Sequence, residues 1–171
     1  MTRDSLHRHG QALCNALPLA TAVLFIFAGV LVLPLPYIGG IAPMFGLVAV
    51  YYWSIYRPDL FQPIFVFALG LLNDALHMMP LGLSAAIYLC LYQLIFTQRR
   101  IFVGQMFLVI WTGFALTALL TVAVQWVALS LYRDQMLSLQ PVLLQYLLTV
   151  ALFPLPAWVL MRLQRAFLSQ G

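Results

Sequence analysis

Long apolar runs separated by short polar stretches make up almost the whole chain. Six of these runs approach the length of about 17–25 residues that a helix needs to cross a bilayer. The separators contain proline, glycine and most of the charged residues, which mark the ends of helices. The pattern predicts an all-α membrane protein, a single bundle of six transmembrane helices that forms one domain over residues 1–171. The predicted spans are about 16–33, 41–56, 63–79, 82–97, 106–130 and 139–161.

Composition indicates which solvent this surface faces. Hydrophobic residues make up 64% of the chain and charged residues 7%, whereas a soluble domain has about 25% charged residues. The mean hydropathy is +1.00. We therefore expect most of the surface to face hydrocarbon.

The arginines predict the orientation. With six spans, both termini lie on one side of the membrane together with the loops 57–62 and 98–105. Seven of the eight arginines fall on that side and only Arg133 falls on the other. An excess of arginine marks the cytoplasmic side, so we expect both termini to be cytoplasmic. The arginines are too dispersed for a nucleic-acid groove. The seven are Arg3, Arg8, Arg57, Arg99, Arg100, Arg162 and Arg165.

The most informative residues are Gly70, Asp74 and His77, which share one face of the third predicted helix. Gly70 is expected to let a neighbouring backbone approach closely beside the polar pair. If this helix begins at Pro63, Asp74 lies about 16 Å along it, near the middle of a bilayer. A carboxylate there costs at least about 2.5–3.5 kcal/mol, so we expect it to face the bundle interior. Two interpretations stay open: a proton relay, ion site or small-ligand pocket, and a structural polar network that fixes the hairpin of helices three and four.

A second pattern lies on the fifth predicted helix, where Gly113, Thr117, Thr121 and Gln125 follow one another at intervals of four residues. Small and polar residues at this spacing form a ridge that suits close helix packing and hydrogen bonding between helices. The ridge is expected to pack inside the monomer or to dock a helix of a partner.

Two prolines, Pro154 and Pro156, lie within the sixth predicted helix. Each removes a backbone donor and clashes with the preceding turn, so we expect this helix to kink or break. A broken helix exposes backbone groups to a ligand in some transporters. The alternative is a bend that shapes a packing surface.

Enzyme signatures are absent from the sequence: it has no phosphate-binding glycine loop, HExxH or GxSxG motif. Ser84 follows Gly82 as in the serine motif of rhomboid proteases, but only His77 could serve it as a base, and the rest of that motif is missing. The two cysteines and three histidines show no metal-ligand spacing. We therefore predict no catalytic residues, no metal and no cofactor.

The chain resembles the rod shape-determining protein MreD family of the bacterial inner membrane. The first stretch that carries the resemblance is Gly70-x3-Asp74-x6-Leu81-Gly82. The second is the ending 153–162, a proline- and tryptophan-bearing last helix that runs into basic residues. The length, the six spans and the turn 57–59 before the third helix are also similar.

The resemblance implies a non-enzymatic scaffold of the peptidoglycan elongation machinery that maintains cell shape. Its implied partners are an MreC-like bitopic membrane protein, a RodA-type glycosyltransferase, a class B penicillin-binding transpeptidase and the actin-like MreB, besides membrane lipid. The MreD family is also similar in fold to the substrate-binding S subunits of energy-coupling-factor transporters. That likeness implies the alternative function, the binding of a small ligand or lipid in a cavity among the helices.

Overall fold

A computed structural model describes residues 17–30, 42–102, 104–134, 136 and 138–168, and the side chains of 99–102 and 166–168 lie outside the description. These residues form seven α-helices and no strand. In chain order the helices are α1 (Leu17–Val30), α2 (Phe45–Tyr56), α3 (Pro63–Leu76), α4 (Leu83–Phe102), α5 (Phe107–Arg133), α6 (Leu139–Leu152) and α7 (Pro154–Leu168).

The short helix α2 occupies the centre. All residues from Gly46 to Ile55 are buried, and α3, α4, α5 and α7 pack around them. A helix that is apolar on every face needs neighbours on every face, which explains this position. Three of its large polar side chains donate hydrogen bonds to residues outside the helix. Tyr51 donates to the Ile110 carbonyl (3.0 Å), Tyr52 to Gln164 Oε1 (2.8 Å) and Trp53 to Thr21 Oγ1 (3.0 Å).

The contacts along α2 fix the directions of its neighbours. Helix α1 is antiparallel to α2, because Thr21 meets Trp53 near one end and Ile26 lies beside Gly46 near the other. The α6–α7 segment is parallel to α2. Its first half meets the start of α2, where the Met44 N–H donates to Thr149 Oγ1 (3.1 Å), and its second half meets the end of α2 through the Tyr52–Gln164 bond.

The sixth predicted helix is divided into two. Helices α6 and α7 are bent by 41° at Phe153, directly before Pro154. Pro154 has no N–H with which to bond the Val150 carbonyl, four residues earlier. That carbonyl instead accepts a hydrogen bond from the Trp111 indole of α5 (3.0 Å). The break is therefore stabilised by a donor from a neighbouring helix.

Phe153 itself is fully buried at this break. Its ring stacks on Phe114 with centroids 4.2 Å apart and meets Tyr51 edge-on at 6.1 Å. Aromatic packing of this kind contributes about 0.5–1.5 kcal/mol per pair beyond the burial of area. The bend thus shapes a packing surface, the second of the two roles that the sequence left open for the prolines.

Several helix ends differ from the predicted spans. Helix α3 ends at Leu76 rather than 79, α4 continues to Phe102 rather than 97, and α5 covers Phe107–Arg133 rather than 106–130. By length and hydropathy, α5 alone among the described helices could cross a bilayer, and α6–α7 would be a second if its two parts form one span. The other described helices do not pass this combined test of length and hydropathy, so the bundle of six membrane spans stays a prediction.

Candidate functional site

The fully buried Asp74 carboxylate of α3 caps the first turn of α4. Its Oδ2 accepts the Gly82 N–H (2.9 Å), and both its oxygens accept the Ser84 N–H (3.0 and 3.1 Å). The first N–H groups of a helix have no partner within the helix, and the helix dipole favours a negative charge there. Asp74 therefore satisfies backbone donors across the α3–α4 connection while α4 stabilises its charge.

Neighbouring side chains extend this network. Asn73 Nδ2 donates to Ser84 Oγ (3.1 Å), and both residues are buried. His77 Nδ1–H donates to the Asn73 carbonyl (2.9 Å), which also accepts the His77 backbone N–H (3.1 Å). We call Asn73, Asp74, His77, Gly82 and Ser84 the hairpin polar network.

The turn between α3 and α4 uses two residues with positive φ. Met78 has φ 51° and Gly82 has φ 99°. The Met79 N–H bonds back to the Asp74 carbonyl (3.0 Å), as in the Schellman ending of a helix. A methionine in this conformation costs about 1–2 kcal/mol, whereas Gly82 adopts it without a Cβ penalty. This turn brings Gly82 back to Asp74.

Gly70 permits the close approach of the two helices. A Cβ atom on Gly70 would lie 2.3 Å from Ala85 Cα and 2.6 Å from Ala85 N. Only glycine leaves room for the α4 backbone at this position. The predicted role of Gly70, a close approach beside Asp74, is therefore the geometry observed.

The position of Asp74 along its helix differs from the expectation. Since α3 ends at Leu76, Asp74 lies in the last turn rather than near the middle of a longer helix. His77 follows the last helical residue, so it does not continue the helical face of Gly70 and Asp74. Leu81 is 76% exposed and lies in the turn with Gly82. This geometry favours the structural interpretation of the network.

A small cavity lies beside the hairpin polar network. Its volume is about 20 Å³, and its polar lining consists of Asn73, His77, Tyr88, Gln125 and Gln145, contributed by the α3 end, α4, α5 and α6. We call it the central cavity. Ligand pockets for organic molecules have volumes of about 300–1,000 Å³. The central cavity is therefore far too small for a vitamin or a lipid.

The predicted ridge of α5 faces inward. Thr117, Thr121 and Gln125 are buried, and Gly113 is half-buried. The two hydroxyls do not bond to another helix as expected. They donate instead to carbonyls of α5 itself: Thr117 to Gly113 and Phe114 (3.1 and 2.8 Å), and Thr121 to Thr117 (2.9 Å). The ridge thus packs inside the chain through its small size, and Gln125 reaches the central cavity.

Sequence reasoning missed a second polar ridge on α6. Gln145 Nε2 donates to the Ala42 carbonyl (3.0 Å), and Thr149 Oγ1 accepts from the Met44 N–H (3.1 Å). Both residues thereby hold the segment that leads into α2. Their spacing of four residues in a largely apolar helix is the signal, the same one that identifies the α5 ridge.

The network offers no catalytic arrangement among the described residues. Ser84 and His77 both bond to Asn73 rather than to each other, so no nucleophile–base pair forms. No group of three or more His, Cys, Asp or Glu side chains in the described part of the chain could hold a metal. Its evident chemistry is the satisfaction of backbone donors.

Comparison with known proteins finds no matching family, no matching curated relative and no matching solved structure.

Proposed function

We propose that this chain is a multi-pass membrane protein of the bacterial inner membrane and a non-enzymatic scaffold of the cell-elongation machinery. In this role it binds an MreC-like bitopic partner and helps to position peptidoglycan synthesis. The observation that carries the proposal is the packed α3–α4 hairpin, in which Gly82 of the MreD-like motif donates to Asp74 and Gly70 admits the α4 backbone at Ala85.

The distribution of polarity supports the location in a membrane. Large apolar side chains are exposed along the outer helices, among them Leu24 of α1 (67%), Ile64 of α3 (67%) and Leu116 of α5 (65%). Asp74, Thr121 and other polar side chains are buried instead. Soluble monomers rarely expose apolar patches of more than a few hundred Å², whereas hydrocarbon is a suitable solvent for such a surface.

The helix directions support six crossings. Helices α1 and α2 are antiparallel, α2 and α6–α7 are parallel, and α3 and α4 form a hairpin. Helices α2 and α7 also pair near Arg57 and Arg165, at one end of the bundle, in line with the predicted cytoplasmic side. Helices of 12–14 residues reach about 18–21 Å, so these crossings need local thinning of the bilayer.

Reporter fusions test this topology. A fusion after Gly171 should report the cytoplasm and a fusion after Arg133 the periplasm, because six crossings place these two positions on opposite sides. If both fusions report the same compartment, the topology of six spans is refuted.

The spacing of the motif supports the MreD-like assignment. Asp74 bonds to Gly82, and Gly70 admits the α4 backbone at Ala85. The spacing of glycine, aspartate and glycine thus has a common physical purpose, a tight hairpin.

Partner binding is expected along an intramembrane face, since the described loops between helices are short. Stable soluble interfaces bury at least about 1,200 Å², more than such loops provide. The exposed sides of α1 and α7 suit this contact, because both helices lie at the periphery and carry exposed Leu24, Leu155 and Trp158.

Co-purification tests the scaffold directly. The chain is expressed with the MreC-like protein of the same cell, and Leu24→Trp and Leu155→Trp are expected to weaken the complex without preventing insertion. Leu116→Trp on α5 is the matched control, because its side chain is equally exposed on a different face. Loss of the chain should also round the cells. Intact complexes in both variants, or normal rods without the chain, would reject the scaffold.

A further inference from the structure

Two buried polar side chains of the central cavity lack a protein partner. Tyr88 is 2% exposed and Gln125 is 6% exposed. Neither side chain makes a hydrogen bond to another residue within the described part of the chain. Buried polar groups are paired with protein or ordered water in the large majority of cases. Since both residues line the same cavity, a single ligand could satisfy both.

The size of the central cavity limits this ligand. About 20 Å³ is available to it, and a water molecule requires at least about 10–15 Å³ measured in this way. The cavity therefore accommodates one water molecule and excludes organic ligands.

The remaining polar groups decide which small ligand fits. Three lining side chains already direct a donor elsewhere: Asn73 Nδ2 donates one N–H to Ser84 Oγ, Gln145 Nε2 donates one to the Ala42 carbonyl, and His77 Nδ1–H donates to the Asn73 carbonyl. Their second polar atoms, Asn73 Oδ1, Gln145 Oε1 and His77 Nε2, are acceptors. Asn73 Oδ1 lies on the cavity side, 3.6 Å from the point where a Cβ of Gly46 would lie.

Tyr88 and Gln125 add donors to this set. The Tyr88 hydroxyl lies 3.1 Å from the same Gly46 point, and Gln125 carries both a carbonyl and an NH₂ group. A metal cation would satisfy only the acceptors, and an anion would satisfy only the donors. Water both donates and accepts, typically in about three hydrogen bonds.

We propose that the central cavity is a binding site for a water molecule that bridges the Tyr88 hydroxyl of α4 and the Gln125 amide of α5. The α3 end and α6 contribute acceptors from Asn73, His77 and Gln145. This water joins the hairpin polar network to the helices on the other side of the cavity. The inference does not depend on the proposed scaffold function.

Magnetic resonance on the whole chain in nanodiscs tests occupancy. With isotope-labelled glutamine, the side-chain amide protons of Gln125 should show cross-peaks to water in both nuclear Overhauser and rotating-frame Overhauser spectra. The cross-peaks in the two spectra should have opposite signs, which is the signature of a long-lived bound water. Gln93, which is exposed on α4, provides the control and should lack this signature. Its absence at Gln125 in the wild-type protein would overturn the proposal.

A double-mutant cycle tests the bridge. Tyr88→Phe and Gln125→Leu should each lower the equilibrium constant for folding by about tenfold, measured by reversible unfolding in mixed micelles. If one water serves both groups, the double variant should be at least about threefold more stable than additive losses predict. Tyr52→Phe is the matched control. Its hydroxyl bonds directly to Gln164, so its effect should add to that of Gln125→Leu.

Additive losses for Tyr88→Phe and Gln125→Leu would overturn the bridge. A second result would also overturn it. This result is a saturable rise in the melting temperature of the wild-type protein when sodium replaces choline at constant ionic strength, together with the loss of that rise in Gln125→Leu. The occupant would then be a cation rather than water.

Discussion

The substitution Gly70→Ala should separate α3 from α4. The new Cβ would lie 2.3 Å from Ala85 Cα and 2.6 Å from Ala85 N, about 0.9–1.7 Å closer than an ordinary contact of about 3.5–4.0 Å. Both obstructing atoms belong to the backbone, so no rotamer change relieves the overlap. One helix must move by about 1 Å, and this displacement also stretches the bonds from Asp74 to Gly82 and Ser84.

The magnitude follows from two opposed contributions. Overpacking that forces a backbone shift costs about 1–3 kcal/mol, and a contact this short belongs at the upper end. Alanine improves helix propensity over glycine by about 0.8–1.0 kcal/mol, which offsets part of the cost. We expect a net loss of about 2 kcal/mol in the free energy of unfolding, measured by reversible unfolding in mixed micelles.

Two further variants identify the cause of this loss. Gly29→Ala in α1 is the matched control, because its Cβ would meet Pro43 O at 3.4 Å, a normal contact, and should cost little or nothing. Ala85→Gly should not rescue Gly70→Ala, since the closest atoms, Cα and N, remain. Wild-type stability of Gly70→Ala, or full rescue by Ala85→Gly, would refute the argument for close backbone packing.

Three other substitutions test the hairpin and the helix break by the same unfolding measurement. Asp74→Leu should destabilise by at least about 2 kcal/mol, because it strands two backbone donors at about 1–3 kcal/mol each. Asp74→Asn should lower the free energy of unfolding less than Asp74→Leu does, and the exposed control Asp59→Asn should hardly change it. Equal losses for the two variants at position 74 would contradict the capping role. Met78→Gly should stabilise by about 1 kcal/mol by relieving positive φ, and a loss would count against that geometry. Trp111→Phe should lower the free energy of unfolding by about 1–3 kcal/mol. The loss should be smaller in a Pro154→Ala background, where residue 154 regains an N–H for the Val150 carbonyl. The same loss in both backgrounds would disprove the idea that Trp111 replaces the donor missing from Pro154.

The sequence identifies Asp74 as an inward-facing polar group but not the atoms that it binds. Its face was deducible from spacing relative to Gly70, because both lie on one helix. Its partners lie eight and ten residues later and become neighbours only through the turn at Met78. Methionine has no preference for the left-handed conformation, so the sequence marks the end of α3 only by Pro80 and does not indicate an end as early as Leu76.

The cavity was beyond sequence reasoning for a related reason. The spacing along the fifth predicted helix places Gln125 in a ridge, but whether it meets Tyr88 depends on how α4 and α5 cross. Crossing angles follow from side-chain packing and scatter by about 15–20°. Spacing within one helix therefore predicts which face is buried, and it leaves open which residues of two helices meet.

Polar residues that suggest chemistry in an apolar sequence have another physical use in this fold. Asp74 satisfies the N–H groups at the start of α4, Trp111 satisfies the carbonyl that Pro154 leaves without a donor, and Gln145 satisfies Ala42 before α2. Each of these backbone groups lies at an end or a break of a helix. In hydrocarbon an unsatisfied backbone group costs several kcal/mol, so a chain of short helices in a bilayer requires such side chains. A catalytic or transport role for any of them therefore needs polar capacity beyond what the backbone uses, and both carboxylate oxygens of Asp74 already accept backbone N–H groups.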